Sequence, residues 1–118
     1  MARIRTIKPA FWGSPEAAGM SRDARLLALG LISFSDDEGR FLANFAAISG
    51  HVYPNDCDIT PRKLNGWLDE VVASGMVELY TERGVRYGHF PSWKQHQVIN
   101  KKTKSTLPAP PQRTLFET

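Results

Sequence analysis

Apolar positions recur in two rhythms along this chain, one helical and one alternating, and the change between them comes late. In "RDARLLALGLISF", Leu27, Leu31 and Phe34 recur near helical spacing, with Leu26 and Ile32 widening the stripe. This predicts a buried main helix, capped by Ser21. Before it, "SPEAAGM" has Ser14 as a cap, Pro15 at the first helical position and Glu16 in the first turn, which predicts a short helix. "SDDEG" closes the main helix, with Gly39 free to turn left-handed. "RFLANF" supplies a short strand, and Asn44 caps "FAAISGHVY", a helix stopped by Pro54. After the loop "NDCD", Thr60 caps "PRKLNGWLDEVVASG", with Pro61 at its first position and Gly75 at its end. "MVELYTE" and "VRYGHFPSW" then alternate as strands around Arg83-Gly84, a hairpin signal.

The order helix, strand, helix, helix, hairpin predicts an α+β fold of the winged helix-turn-helix kind, with three main helices, a C-terminal β-hairpin wing and extended basic termini. Residues 1–13 read as an extended basic arm anchored by Phe11 and Trp12, and residues 14–93 as the folded domain. Residues 94–118 read as a basic tail whose "LPAPPQ" is solvated. The full 118 residues suit one domain with a single core. No apolar run approaches the roughly 20 residues that span a bilayer, and "MARIRTIKPAF" lacks the apolar core of a signal peptide. One cysteine, Cys57, excludes an internal disulfide and suits a reducing cytoplasm, so a cytoplasmic protein with no membrane partner is expected.

Charge changes the picture. The formal net charge is +3, but residues 1–8 carry +3, residues 94–118 carry +4 and the body between them carries −4. Basic ends on an acidic body are an electrostatic footprint of nucleic-acid binding, and equally of two solvated termini. In the helix after Thr60, Leu68, Val71 and Gly75 fall within about 40° of Leu64, with Trp67 and Val72 on the flanks. The exposed first turn then presents Arg62, Lys63 and Asn65, side chains suited to guanine, phosphate and adenine in a major groove. Small Gly66 permits close approach, whereas Asp69 and Glu70 favour a plain solvated face or entry by the helix N-terminus alone. At the hairpin tip Arg83 and Arg86 can reach a phosphate or a narrow minor groove. Arg3 and Arg5 in one arm, and Lys101, Lys102 and Lys104 in the other, are candidate backbone clamps.

Catalysis finds less support. His51, His89 and His96 lie in three different elements, and "HVYPNDCD" lacks the paired spacings of a zinc site and the glycine and distal Glu of a calcium loop. There is no phosphate-cradling Gly-rich loop and no nucleophile elbow. Neither an enzyme nor a cofactor or metal is expected. Trp12, Trp67 and Trp93 read as packing residues.

The segments "RIRTIKPAFW", "MSRDARLLALGL", "SDDEGR", "VYPNDCDIT" and "YGHFPSWKQHQVINKKTKS" together resemble small bacteriophage and prophage proteins. These are described as replication-initiation, replisome-organiser or DnaD-like winged-helix DNA-binding proteins. The resemblance spans roughly residues 2–105 and places the closing Trp-x-x-His-Gln motif on Trp93, His96 and Gln97, with Lys101 and Lys102 after it. It implies double-stranded DNA binding in phage replication, with host replication proteins recruited as partners. Longer relatives carry a C-terminal helicase-loading segment, which this chain is expected to lack, so DNA binding is the part expected to carry over. Two other readings stay open: a phage transcriptional regulator, and a protein-binding adaptor or inhibitor of a host defence system that uses the same scaffold.

Overall fold

Helix α2 (Arg22–Phe34) is the element around which the others are laid, because one of its faces is apolar along its whole length. A computed structural model describes residues 3–99 and 101–111. Ahead of α2 come a 3-10 turn at Pro9–Gly13 and the single-turn helix α1 (Pro15–Ala18). Strand β1 (Arg40–Leu42), α3 (Phe45–Val52) and α4 (Pro61–Ala73) follow, then β2 (Glu78–Glu82), β3 (Val85–His89) and the single-turn α5 (Trp93–His96). The three strands form one antiparallel sheet in the order β1-β3-β2. The chain is therefore an α+β domain, and none of its described helices is long and apolar enough to cross a membrane.

The caps act where the sequence puts them. Ser14, Ser21, Asn44 and Thr60 each accept a hydrogen bond from the backbone N–H three residues on. Each satisfies one of the donors that a helix start leaves open. Ala24, Leu27, Ala28 and Leu31 of α2 are buried against Ile48 of α3 and Leu64, Leu68 and Val71 of α4. A second tie crosses the surface: the Glu70 carboxylate accepts from Ser21 N at 2.7 Å and from Ser21 Oγ at 2.9 Å. A carboxylate at that helix start is favoured by the α2 dipole as well.

In the sheet, Phe41 faces Gly88, which faces Leu79; Arg40, His89 and Glu78 make the next row, and Leu42, Tyr87 and Tyr80 the other. Opposed residues share a face. The Phe41 row looks into the core, and the rows on either side of it look outward. Gly88 is required there, since a Cβ would overlap the Phe41 ring. Gly39 is required twice over: its φ is +78°, and a Cβ would sit 2.6 Å from the Trp93 ring.

Several expectations need correction. Among the described residues five α-helices stand where three main ones were expected, two of them single turns. The strand read through "VRYGHFPSW" stops at His89, because Pro91 has no N–H for the ladder and Trp93 N bonds back to Phe90 O, starting α5. Leu26 is 53% exposed and so lies outside the buried stripe, and Trp12, at 57%, anchors little. The tail is not solvated throughout, since Leu107, Pro108 and Pro110 are half-buried.

Candidate nucleic-acid interface

The N-terminal turn of α4 is displayed by the packing of its other face. Leu64, Leu68 and Val71 are buried, Trp67 is half-buried against the Tyr53 ring at 5.8 Å, and Arg62, Lys63, Asn65 and Gly66 are exposed. Arg62 and Asn65 make no hydrogen bond or ion pair among the described residues, so both are free to meet a ligand. The Lys63 ammonium donates to Asp58 O at 3.1 Å. Charge near this turn is mixed, because Asp56, Asp58 and Asp69 are exposed close to it in sequence. Nearby, burial pushes the Tyr53 hydroxyl up to about 12, with Asp23 and Asp56 adding to the shift. Glu70, by contrast, is engaged at the start of α2.

The hairpin turns on Arg83 (φ +51°) and Gly84 (φ +77°), the two left-handed residues of a tight two-residue loop. Arg83 projects there without a partner among the described residues. Arg86 is partly committed: its Nε donates to Ala43 O at 2.7 Å, fastening β3 to the end of β1.

The basic arms are placed differently from the expectation. Both terminal segments converge on the acidic turn after α2. The Arg5 side chain is 3% exposed, with Nη1 3.0 Å from Asp37 Oδ1 and Nη2 donating to Ser35 O at 2.8 Å. Its guanidinium also lies 5.1 Å from the centre of the Trp93 ring. Arg5 is thereby withdrawn from the candidate DNA contacts, because no surface of its charged head is left for a phosphate. Arg3 pairs with the other Asp37 oxygen at 3.0 Å and donates to Lys101 O and Thr103 Oγ1, yet keeps 39% of its side chain exposed. Lys102 lies 3.5 Å from Glu38. Lys101 and Lys104 are exposed, and their ammonium groups have no partner among the described residues.

Gln97 completes this closure. It is buried, accepts from Thr6 N at 2.9 Å and donates to Thr6 O at 2.8 Å, a two-pronged clamp on the arm. Within the Trp-x-x-His-Gln motif, Trp93 and Gln97 therefore hold the termini together, while His96 is exposed without a hydrogen bond among the described residues. An apolar cavity of about 250 Å³ beside it is lined by Phe11, Ile32, Met76, Phe90, Trp93 and His96.

Sequence reasoning missed the role of Asp36, Asp37 and Glu38. Thr103 N donates to Asp37 at 2.9 Å, Ser105 N to Glu38 at 2.9 Å, and Ser105 Oγ to Asp36. The signal was present as three consecutive acids in a chain with basic ends. The Thr103 N–H beside Asp37 holds its carboxyl below the usual carboxylate range against the opposing effect of burial, with Arg5 and Arg3 adding to the depression. The Ser105 N–H does the same for Glu38, helped by Arg40 and Lys102.

Both carboxyls are depressed on folding, so in acid the unfolded chain takes up protons first. Their contribution is complete above the ordinary carboxylate pKa of about 4 and drains away as pH falls through the lower folded values. The thermal midpoint is expected to hold between about pH 5 and 7 and to drop below about pH 4. An Asp37→Asn chain, measured in the same buffers, is expected to show a shallower acid limb.

The fold and this face define a small α+β domain with a three-stranded antiparallel sheet and an exposed, polar helix start. No protein-family model, curated protein or solved structure matches the chain.

Proposed function

We propose that this chain is a winged-helix protein of phage type that binds double-stranded DNA in the initiation of phage replication. The observation that carries the reading is the free, exposed pair Arg62 and Asn65 at the start of α4, held outward by the buried Leu64–Leu68–Val71 stripe. The order α2-β1-α3-α4-β2-β3 with a β1-β3-β2 sheet supports the scaffold, and the sequence resemblance supports the replication role. In this reading α4 enters the major groove by its N-terminal end, which keeps Asp69 away from the phosphates. Lys63 and Arg83 contact the backbone, and Arg3, Lys101 and Lys104 add weaker, exposed charge.

With about three phosphates neutralised, log affinity is expected to fall against log salt with a slope of about −2 to −3. Arg62→Ala or Asn65→Ala is expected to cost about 1–3 kcal/mol on the preferred duplex and much less on random DNA. Fluorescence anisotropy with a selected and a random duplex at two salt concentrations checks both. Equal losses on both duplexes would make the residue a backbone contact.

Asp56, Asp58 and Asp69 around the same turn favour one second reading, a protein-binding adaptor whose partner presents basic residues. Absence of duplex binding at low salt would leave that reading in place of the first.

A further inference from the structure

The outer face of the sheet is not bare, because the chain's own tail crosses it. Arg40 on β1 donates to Leu107 O at 3.1 Å, and the Tyr80 hydroxyl on β2 donates to Pro108 O at 2.7 Å. Tyr80 stacks on Tyr87 with centroids 5.7 Å apart, and its ring meets His89 edge-on. At one end of this aromatic platform stands the acidic turn, which takes Lys102 and the backbone N–H groups of Thr103 and Ser105. Aromatic-lined faces are a known setting for Pro-rich segments; here Tyr80 holds the Pro108 carbonyl, and Glu38 receives Lys102 at the tail's basic end.

We propose that this face is a recognition site for basic, proline-rich segments, and that two copies of the chain exchange residues 101–111 across it. Every contact that seats the tail is made by atoms that do not depend on which chain carries it. The same contacts therefore form in trans, which is the condition for exchange of an identical element. The connector favours release. Val98 is 93% exposed, and Lys101 is held at φ +55°, a backbone conformation that side chains other than glycine rarely adopt. Opening the connector relieves that strain, and docking in trans keeps the tail contacts. The tethered tail competes at an effective concentration of about millimolar, so exchange emerges when the tail in cis is disabled or the protein is concentrated.

The test uses two full-length variants. A face variant, Glu38→Lys, repels Lys102 and removes the acceptor for Ser105 N, and its own tail stays intact. A tail variant, Lys102→Glu with Leu107→Asp, keeps the face and disables the tail. Each alone is expected to sediment as a monomer, and a 1:1 mixture to form a heterodimer. With a dye on the exposed Cys57 of the tail variant, anisotropy is expected to rise on adding the face variant and not on adding more tail variant. A synthetic peptide of residues 101–111 is expected to bind the tail variant and not the face variant. A mixture that stays monomeric to about 1 mM, the effective concentration of the tether, overturns the exchange. A peptide that binds neither variant overturns the recognition site as well. If Glu38→Lys does not fold, Glu38→Gln placed in the tail-variant chain replaces it in the peptide measurement. There it is expected to weaken peptide binding about threefold, the effect of losing one exposed ion pair, and unchanged binding counts against the site.

Discussion

Replacing Arg5 by Ala is expected to unfold much of what joins the two ends of this chain, at a cost of about 3–5 kcal/mol. Arg5 and Asp37 are both only 3% exposed, and their paired atoms lie 3.0 Å apart. Removal of the guanidinium leaves a buried carboxylate with Arg3 and one backbone N–H for compensation, and leaves Ser35 O without its donor. For a domain of this size the thermal midpoint should fall by roughly 10–25 °C. Arg5→Lys keeps the charge but not the planar fork that meets Asp37 and Ser35 together, so it should fall between the two. Duplex affinity of the folded protein should be unchanged, because Arg5 reaches no surface. A variant that melts like the parent and binds DNA poorly would return Arg5 to the interface.

Trp93→Ala is expected to cost a similar amount, about 3–5 kcal/mol. Its ring is 5% exposed, packs against Phe90 at 5.7 Å and fills the space over Gly39 that no Cβ could share. The indole N–H also donates to Asp37 O at 3.0 Å, so truncation removes packing and a hydrogen bond together. Because Arg5 lies over this ring, the two losses should not add. A double-mutant cycle by urea unfolding is expected to show coupling of about 0.5–3 kcal/mol. Strict additivity would mean that the arm and α5 are held independently.

The local elements were legible because their causes are local. Ser14, Ser21, Asn44 and Thr60 cap within three residues of themselves, and Arg83-Gly84 sets its own turn. The α4 stripe was legible for the same reason, since a 3.6-residue period declares which side packs. The errors fall where a partner far along the chain decides. Leu26 has the spacing of a core residue but stays half-exposed, and α5 replaces a strand end because Phe90 O finds Trp93 N in place of a neighbouring strand.

The basic ends show the division most clearly. By itself the sequence determined the caps, the strand pairing signal, the polar start of α4 and the opposition of charge between body and ends, all of which depend on neighbours within a few positions. Only the tertiary structure decided what that opposition does, because Arg5 and Asp37, or Ser105 and Glu38, are separated by 32 and 67 residues and meet only once the sheet and α2 are in place. A basic residue on a flexible arm has the same local sequence whether it is drawn to a phosphate or to a carboxylate of its own chain. Burial separates the two outcomes: Coulomb attraction is stronger away from water, and the acidic turn after α2 supplies the drier site.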